Sequence, residues 1–386
     1  MDHIVIHYSE IGTKGRNRIL FEKKLAENIR RVLPESGKVS RRYGKIVAEV
    51  PDCQQSENRL IGVLERMPGI AKFSFAEKAK LDIADIKRKI IVLAKSREFD
   101  TFSIVASRSN KNFPQNSSQV NIVLGDLIRK KFRKKVDLKR PDLIFYIEVG
   151  EKEAFAYCQR HPGISGLPVG VSGKAVASLS GGIDSPVASF MAMKRGLKTI
   201  LVHIRNKTLL GDRQGADKIK KIAKELAKFQ GKTKLYIVPF FEIQKAIIAQ
   251  IPADCRMIVY RRFMMRILSR VAAAEKAGGI ITGDSVGQVA SQTLPNLSCI
   301  YEAADLPVLP PLIGMNKEEI IALAKKIGTY DFSILPYPDC CSFMIAKHPK
   351  TKGSLREILG LEKSIKDSEG LIDECIKKSL NREFKI

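Results

Sequence analysis

No apolar run in this chain approaches the length of a membrane span. The longest, such as the IIVLA stretch behind Lys89 and Ala175–Leu179, fall far short of the roughly 18 residues a spanning helix needs. The opening MDHIVIHYSE has neither a basic leader region nor a long apolar segment, so no secretory signal is expected. Cysteine is scarce and odd in number, with seven in 386 residues, which argues against a disulfide-built scaffold. There is no C-x-x-C pair to suggest a thiolate-bound metal or iron–sulfur cluster, and no G-x-x-x-x-G-K-[ST] loop. Internal repeats and low-complexity tracts are also missing. Together these absences predict a soluble, cytoplasmic protein without a membrane partner. The length suits two or three domains, and 44% hydrophobic with 28% charged residues is globular composition.

Acid is the minority charge. There are 41 Asp+Glu against 67 Lys+Arg, a formal charge of +26. Residues 1–172 hold 33 basic and 20 acidic side chains, and residues 173–386 hold 34 and 21, so the excess is spread evenly. An anionic partner that touches both halves fits this distribution, with a nucleic acid as the leading candidate; a Lys-rich surface kept for solubility is the alternative that composition leaves open.

Patterning divides the chain. His3–Tyr8 reads as a strand, Arg18–Leu33 as an amphipathic helix ended by Pro34 and Gly37, and Tyr43–Val50 as a strand. A helix over Arg59–Met67 and a strand over Ile70–Ala76 complete a small α+β pattern. Helices over Ile83–Lys95 and Val120–Phe132 and strands over Thr101–Ser107, Leu143–Val149 and Glu153–Gln159 make a second unit. Residues 161–174 contain four Gly and two Pro with few large apolar residues, which predicts a linker. Beyond it, strands at Ala175–Leu179, Thr199–His203, Leu235–Pro239 and Gly279–Thr282 alternate with helices at Pro186–Arg195, Gly215–Gln230 and Tyr260–Lys276. That alternation predicts a doubly wound, mostly parallel sheet with its site at the strand C-terminal ends. Helices are predicted over Lys317–Lys326 and Leu371–Leu380.

The sharpest local feature is Ser180-Gly181-Gly182-Ile183-Asp184-Ser185, between a strand and a helix with Pro186 in its first turn. Paired glycines let backbone curl round a ligand, the two hydroxyls and exposed helix amides favour an anion, and Pro186 removes an N–H that would be orphaned anyway. Asp184 beside phosphate calls for a cation between them, most simply Mg²⁺. A second feature is Arg129–Arg140 (RKKFRKKVDLKR), with eight basic residues and one acid, suited to phosphate contact. A third is the vicinal pair Cys340-Cys341 in a Pro-punctuated stretch, able to hold a persulfide and resolve it or to form a strained, easily reduced disulfide. Cys53, Cys158, Cys255, Cys299 and Cys375 are isolated and predicted to be inert.

The Ser180–Ser185 hexapeptide resembles the pyrophosphate-binding loop of the ATP pyrophosphatase (PP-loop) superfamily. Tyr8-Ser9-Glu10-Ile11-Gly12-Thr13-Lys14-Gly15-Arg16-Asn17-Arg18 with Phe21-Glu22 is similar to the start of the tRNA 4-thiouridine synthetases, or tRNA sulfurtransferases. Arg108-Ser109-Asn110-Lys111-Asn112-Phe113, Val136-Asp137-Leu138 and Pro141-Asp142 resemble a THUMP RNA-binding domain. Thr282-Gly283-Asp284-Ser285, Gly287–Thr293 and Leu306-Pro307-Val308-Leu309 with Lys317 extend the likeness over nearly the whole chain. The resemblance implies an α/β protein with α+β N-terminal domains. These are a ferredoxin-like domain (1–53), a THUMP domain (54–160), a linker (161–173) and a PP-loop domain (174–386).

It also implies an ATP- and Mg²⁺-dependent enzyme that adenylates O4 of a tRNA uridine, at position eight in the family, and exchanges that oxygen for sulfur. ATP would be lined by Ser178, Leu179, Ser180, Gly181, Gly182, Asp184, Ser185, His203, Ile204, Arg261, Gly283 and Gln292. Asp184, Lys317 and Cys341, with Cys340 as the other member of the pair, would be catalytic. Lys14, Arg16, Arg18, Arg108, Asn110, Lys111, Arg129, Lys130, Lys131, Arg133, Lys134 and Lys135 would contact RNA. Many members carry a C-terminal rhodanese domain, whereas this chain ends at Ile386 after a charged tail. A separate sulfur donor is therefore expected, such as a cysteine desulfurase or free sulfide. A homodimer is implied, and in some members a part in making the thiazole of thiamine. The rival readings are a different PP-loop adenylating ligase and an RNA-binding protein with a vestigial PP-loop.

Overall fold

The computed structural model describes residues 1–51, 53–205, 213–336 and 349–385, without the side chains of 53–55 and 213–216. Cys340 and Cys341 lie outside the described residues. The chain divides into two units, Met1–Pro168 and Val169–Ile386.

The first unit runs β1 (His3–His7), α1 (Arg18–Arg30), β2 (Lys38–Arg42), β3 (Lys45–Glu49), α2 (Cys53–Leu64), β4 (Lys72–Ala79), α3 (Ile83–Lys95), β5 (Thr101–Arg108), α4 (Ser117–Phe132), β6 (Lys135–Val136), β7 (Leu143–Val149), β8 (Ala154–Tyr157) and β9 (His161–Pro162). Its sheet has the order β2-β3-β1-β4-β8-β7-β5-β6, with β9 also on β4. The long β4 serves two neighbours. Lys72–Ala76 pair with β1, and Glu77–Ala79 pair with β8. Two cores result. One gathers Ile4, Ile6, Leu25, Ile46, Leu60, Leu64, Ile70 and Phe73, and so reaches past residue 53. The other gathers Ile86, Ile90, Phe102, Val120, Leu124, Phe145 and Ile147.

The Gly/Pro-rich stretch is docked rather than loose. The Gly163 amide donates to Ala71 and the Ser165 amide to Ile70. A Cβ on Gly163 would sit 2.2 Å from the Ile70 carbonyl oxygen, so only glycine fits. Gly170 and Ser172 instead donate to the Gly196 carbonyl of the second unit.

The second unit runs β10 (Lys174–Ser178), α5 (Asp184–Lys194), β11 (Lys198–Arg205), α6 (Arg213–Gln230), β12 (Lys232–Pro239), α7 (Phe241–Gln250), α8 (Arg256–Glu275), β13 (Ile280–Ile281), α9 (Leu294–Tyr301), β14 (Val308–Leu309), α10 (Lys317–Lys326), α11 (Tyr330–Ser333), α12 (Leu355–Glu362), α13 (Ser368–Lys377) and β15 (Leu380–Lys385). Its sheet order is β14-β13-β10-β11-β12-β15, parallel throughout except for β15. The near-continuous apolar sequences of β10 and β11 fit strands covered on both faces. Strand order reverses around β10, so loops leaving β10 and β13 meet at one crevice. Among the described residues, no helix is long and apolar enough to cross a membrane.

Candidate nucleotide and sulfur-transfer site

The hexapeptide leaves the C-terminal end of β10 and enters α5, which starts at Asp184, two residues before the predicted Pro186 start. Pro186 therefore stands third in the helix, still within the turn whose amides lack intrahelical partners. The loop is held in shape by its own hydroxyls. Ser180 and Ser185 Oγ lie 2.9 Å apart, the Ser180 amide donates to Ser185 Oγ at 2.9 Å, and the Gly182 amide donates to Ser180 Oγ at 3.2 Å. No side chain caps the start of α5, so its amides stay available to an anion. Gly283, just past β13, packs directly on this turn. A Cβ there would lie 2.9 Å from the Ser185 amide nitrogen.

Two carboxylates organise the charges. Lys317 opens α10, which is capped by Asn316 in a capping box with Glu319. Its ammonium donates to Asp184 Oδ1 at 2.6 Å, and Gln288 Nε2 donates to Oδ2 at 2.9 Å. The two predicted catalytic residues thus meet across 133 positions of sequence. Asp284 accepts from Arg261 Nη2 at 2.7 Å, Tyr301 Oη at 2.7 Å and Gln292 Nε2 at 3.0 Å. Burial pushes the Asp284 carboxyl up, but the Arg261 charge and the Tyr301 hydroxyl outweigh it and hold it below the ordinary range. Burial, reinforced by the Asp284 charge, pushes the Tyr301 phenol well up, so it remains a donor.

A cavity of about 550 Å³ opens beside the loop. Of the predicted nucleotide residues, Ser178, Ser180, Gly182, Asp184, Ser185, Arg261, Gly283 and Gln292 line it. Leu179, Gly181, His203 and Ile204 do not. The Leu179 amide donates to Val202 and its carbonyl accepts from His203 Nδ1 at 2.9 Å. His203 and Ile204 stand near the C-terminal end of β11, in register with Ile237 and Val238 of β12. Sequence reasoning gave no role to Asp254, Met257, Met264 or Lys350, which also line the cavity. Asp284 and Gln288 lay within the quoted motifs but were given no role either. The apolar Met257, Ile258, Met264 and Met265 suit a flat ring, and the polar loop suits phosphates. Among the described residues, no cluster of three or more His, Cys, Asp or Glu could hold a metal ion.

Three of the described thiols, Cys158, Cys255 and Cys375, are unsuited to sulfur chemistry. Burial pushes Cys255 and Cys375 up to about 11 and Cys158 up to about 12, which leaves them protonated.

The predicted RNA residues separate into two sets. Arg18 donates to Glu22 at 2.8 Å and to Tyr8 Oη at 2.7 Å. Arg108 Nη1 donates to the Phe113 carbonyl at 2.9 Å, and the Asn110 side chain accepts from the Asn112 amide at 2.9 Å. These three also brace their own segments, Arg18 on the buried Glu22, Arg108 on the Phe113 carbonyl and Asn110 on an exposed amide. Arg129 pairs with Asp126 and Lys134 with Asp100. Lys14 lies 5.4 Å from the Phe21 ring centroid. Arg16, Lys111, Lys130, Lys131, Arg133 and Lys135 are exposed.

Comparison with known proteins covers the whole chain. Residues 3–74 match the ThiI ferredoxin-like domain, 80–159 the THUMP domain, and 170–366 the family described as Thiamine biosynthesis protein (ThiI). A probable tRNA sulfurtransferase of Moorella thermoacetica is 39% identical over 97% of this chain and 95% of its own length. A probable tRNA sulfurtransferase of Caldanaerobacter subterraneus subsp. tengcongensis is 39% identical over 96% and 97%. A crystal structure of a 4-thiouridine synthetase–RNA complex with bound ATP superposes with TM-score 0.90 at 33% identity, covering 100% of both chains. A Pyrococcus horikoshii structure with TM-score 0.67 and 23% identity, covering 85% of this chain and 100% of its own, shares the fold.

Proposed function

The chain belongs to the thiamine biosynthesis protein (ThiI) family, and from that premise we propose how its residues carry out ATP-dependent thiolation of tRNA. It is an ATP-binding tRNA sulfurtransferase that makes 4-thiouridine. The observation that carries the residue-level reading is the meeting of Asp184 and Lys317 on the Ser180–Ser185 loop.

Carbonyl oxygen is a poor leaving group at C4 of uracil. O4 of the target uridine attacks the α-phosphorus of ATP, the bond to the bridging oxygen breaks, and pyrophosphate departs. The β,γ-phosphates fit the loop hydroxyls and the amides of α5. Lys317 offsets the negative charge that grows on the leaving group, and Asp184 with Gln288 keeps that ammonium at the loop. Arg261, held by Asp284, presents a second cation to the cavity. Asp184 is the residue that would hold a Mg²⁺ carried in on the nucleotide, and the ion would neutralise phosphate charge.

Sulfur then attacks C4, the C4–O bond breaks, and AMP leaves. From a persulfide on Cys341 or Cys340, the outer sulfur forms the new C–S bond. The neighbouring thiolate cleaves the S–S bond, and a disulfide remains that an external thiol must reduce. Free sulfide as nucleophile needs no such reduction. A cysteine desulfurase or sulfide is the donor in this reading, and position eight is the target.

Arg16, Lys111, Lys130, Lys131, Arg133 and Lys135 hold tRNA phosphates in this account. The enzyme works as a homodimer, which light scattering will check. The central test is mass spectrometry of nucleosides from unmodified tRNA incubated with protein, ATP, Mg²⁺ and sulfide. 4-Thiouridine should appear only with ATP present. Its absence, with pyrophosphate release that ignores tRNA, would point to another adenylating ligase.

A further inference from the structure

Tyr301 closes α9 and belongs to none of the motifs quoted above. Its ring packs against the apolar core of the second unit, which includes Tyr260, Phe263 and Leu268, and this packing fixes where the hydroxyl stands. The hydroxyl donates to Asp284 Oδ2 at 2.7 Å. Thr282 Oγ1 lies 3.2 Å from the same phenol oxygen. The phenol has one proton and the carboxylate takes it, so the phenol oxygen is the acceptor at the Thr282 contact.

Asp284 is 3% exposed and serves as a shared anchor. Its Oδ1 accepts from Gln292 Nε2 at 3.0 Å, and both its oxygens stand 2.7 Å from Arg261 Nη2. Arg261 and Gln292 line the nucleotide cavity, whereas Tyr301 does not. Arg261 Nη1 reaches the Ser291 carbonyl at 3.4 Å, so the carboxylate is the shorter and the charged tie. The terminal torsion of a carboxylate is soft and nearly two-fold. Held at one oxygen, the group can turn and carry the guanidinium with it. With Oδ1 on Gln292 and Oδ2 on Tyr301 its plane is fixed, and so is the direction in which Arg261 faces. A nucleotide can draw on the Gln292 amide, which lines the cavity, while the phenol stays committed to the carboxylate.

We propose that Tyr301 is a positioning residue for the nucleotide: it pins Oδ2 of Asp284 and thereby keeps the Arg261 guanidinium turned to the cavity. The inference deepens the ATP-binding reading of that site and rests on it. Tyr301 itself makes no contact with the nucleotide in this account.

The test is calorimetric titration of the full chain with ATP and Mg²⁺, for wild type, Tyr301→Phe, Asp284→Asn and the double variant, with thermal melting of each as the check on folding. Tyr301→Phe keeps the ring and its packing and removes only the hydroxyl. It should weaken ATP binding about tenfold, the scale of one hydrogen bond to a charged group. Asp284→Asn should weaken it at least as much, because Arg261 loses its anchor. In that background Tyr301→Phe should change affinity by less than about twofold, since the group through which it acts is gone. A merely structural role would carry the same factor in both backgrounds, and that result overturns the inference. So does an unchanged ATP affinity in a folded Tyr301→Phe. If that variant does not fold, Asp284→Asn decides alone, and ATP binding there as tight as in wild type overturns the inference. Should wild type itself bind no ATP, the reading of the cavity fails and takes this inference with it.

Discussion

At the C-terminal end of α4, Lys130, Lys131, Arg133 and Lys135 stand exposed with no acid partner among the described residues. In the second unit Arg261, Arg262 and Lys317 are each docked on a carboxylate from a distant stretch, Asp284, Glu362 and Asp184. Both units carry the same formal excess of 13 positive charges. The basic run presents charge to solvent, where it attracts polyanions without choosing among them. Around the cavity the charges are fixed in place by hydrogen-bonded partners, as differential stabilisation of a departing phosphate requires. Net charge alone would not separate a binding surface from a reaction centre, whereas pairing does.

The largest effect should come from cutting the paired set. Asp184→Asn leaves the first unit's cations untouched but removes the carboxylate that holds Lys317 and Gln288. ATP-dependent 4-thiouridine formation should fall by about 10²–10³-fold, the scale for losing one preorganised electrostatic group, while tRNA affinity stays near wild type. Lys317→Ala should do similar damage, and the double variant little more than either alone, because the two act as a unit. Additive losses in that cycle would show that the pair is no functional unit and would weaken the contrast.

The first unit does contain one tightly paired centre, away from its basic run. Glu148 on β7 accepts from His7 of β1 at 2.8 Å, Lys45 of β3 at 2.5 Å and Tyr157 of β8 at 2.6 Å. It thereby joins strands of both halves of that sheet. Burial pushes its carboxyl up, but the His7 hydrogen bond and the Lys45 charge win and hold it well below the ordinary range. Because the folded carboxyl titrates below its unfolded value, its contribution to stability is complete above about pH 4.3 and is lost as pH falls through the folded value. Glu148→Gln should cost about 3–5 kcal/mol, since Lys45 is left buried without a counter-charge. Hydrogen exchange on the full chain should show faster exchange in β1, β3, β7 and β8 and unchanged protection in β10–β13. Equal loosening of both units would mean that the pair does not act locally.

This contrast also explains what could be read in advance. The strand–Gly-Gly–Asp–helix order is contiguous, so the loop and its chemistry were visible in one short stretch, as was the exact span of α3, Ile83–Lys95. Lys317 was found through motif likeness, but its partner was not, because Asp184 lies far away in sequence and only the fold brings α10 to α5. Asp284 stood within a quoted motif, yet nothing local reveals that Arg261, Tyr301 and Gln292 converge on it. β2 (KVSRR) was missed because it is polar and largely exposed, and β15 (LNREFK) because it is an edge strand held mainly by backbone pairing to β12. Arg18 and Arg108 are marked as RNA contacts through motif likeness, and no local pattern announces that their guanidinium groups also hydrogen-bond Tyr8 and the Phe113 carbonyl.

The smallest effects belong to the unpaired cations, and they sharpen the comparison from its other side. Lys130→Ala, Lys131→Ala and Lys135→Ala remove charges with no acid partner among the described residues, so folding stability should shift by less than about 0.5 kcal/mol each. Each should weaken tRNA binding a few-fold at moderate salt and reduce the slope of log affinity against log salt by about 0.7–0.9. The catalytic rate at saturating tRNA should hold, because a phosphate contact made equally before and during reaction affects KM and not kcat. Lys134→Ala is the internal control, because that ammonium already pairs with Asp100 at 2.8 Å. Its removal should change the salt slope less than loss of its unpaired neighbours. Identical slopes for Lys134 and Lys131 would mean that pairing does not decide which cations the RNA meets, and the distinction drawn between the two regions would then have to rest on position alone.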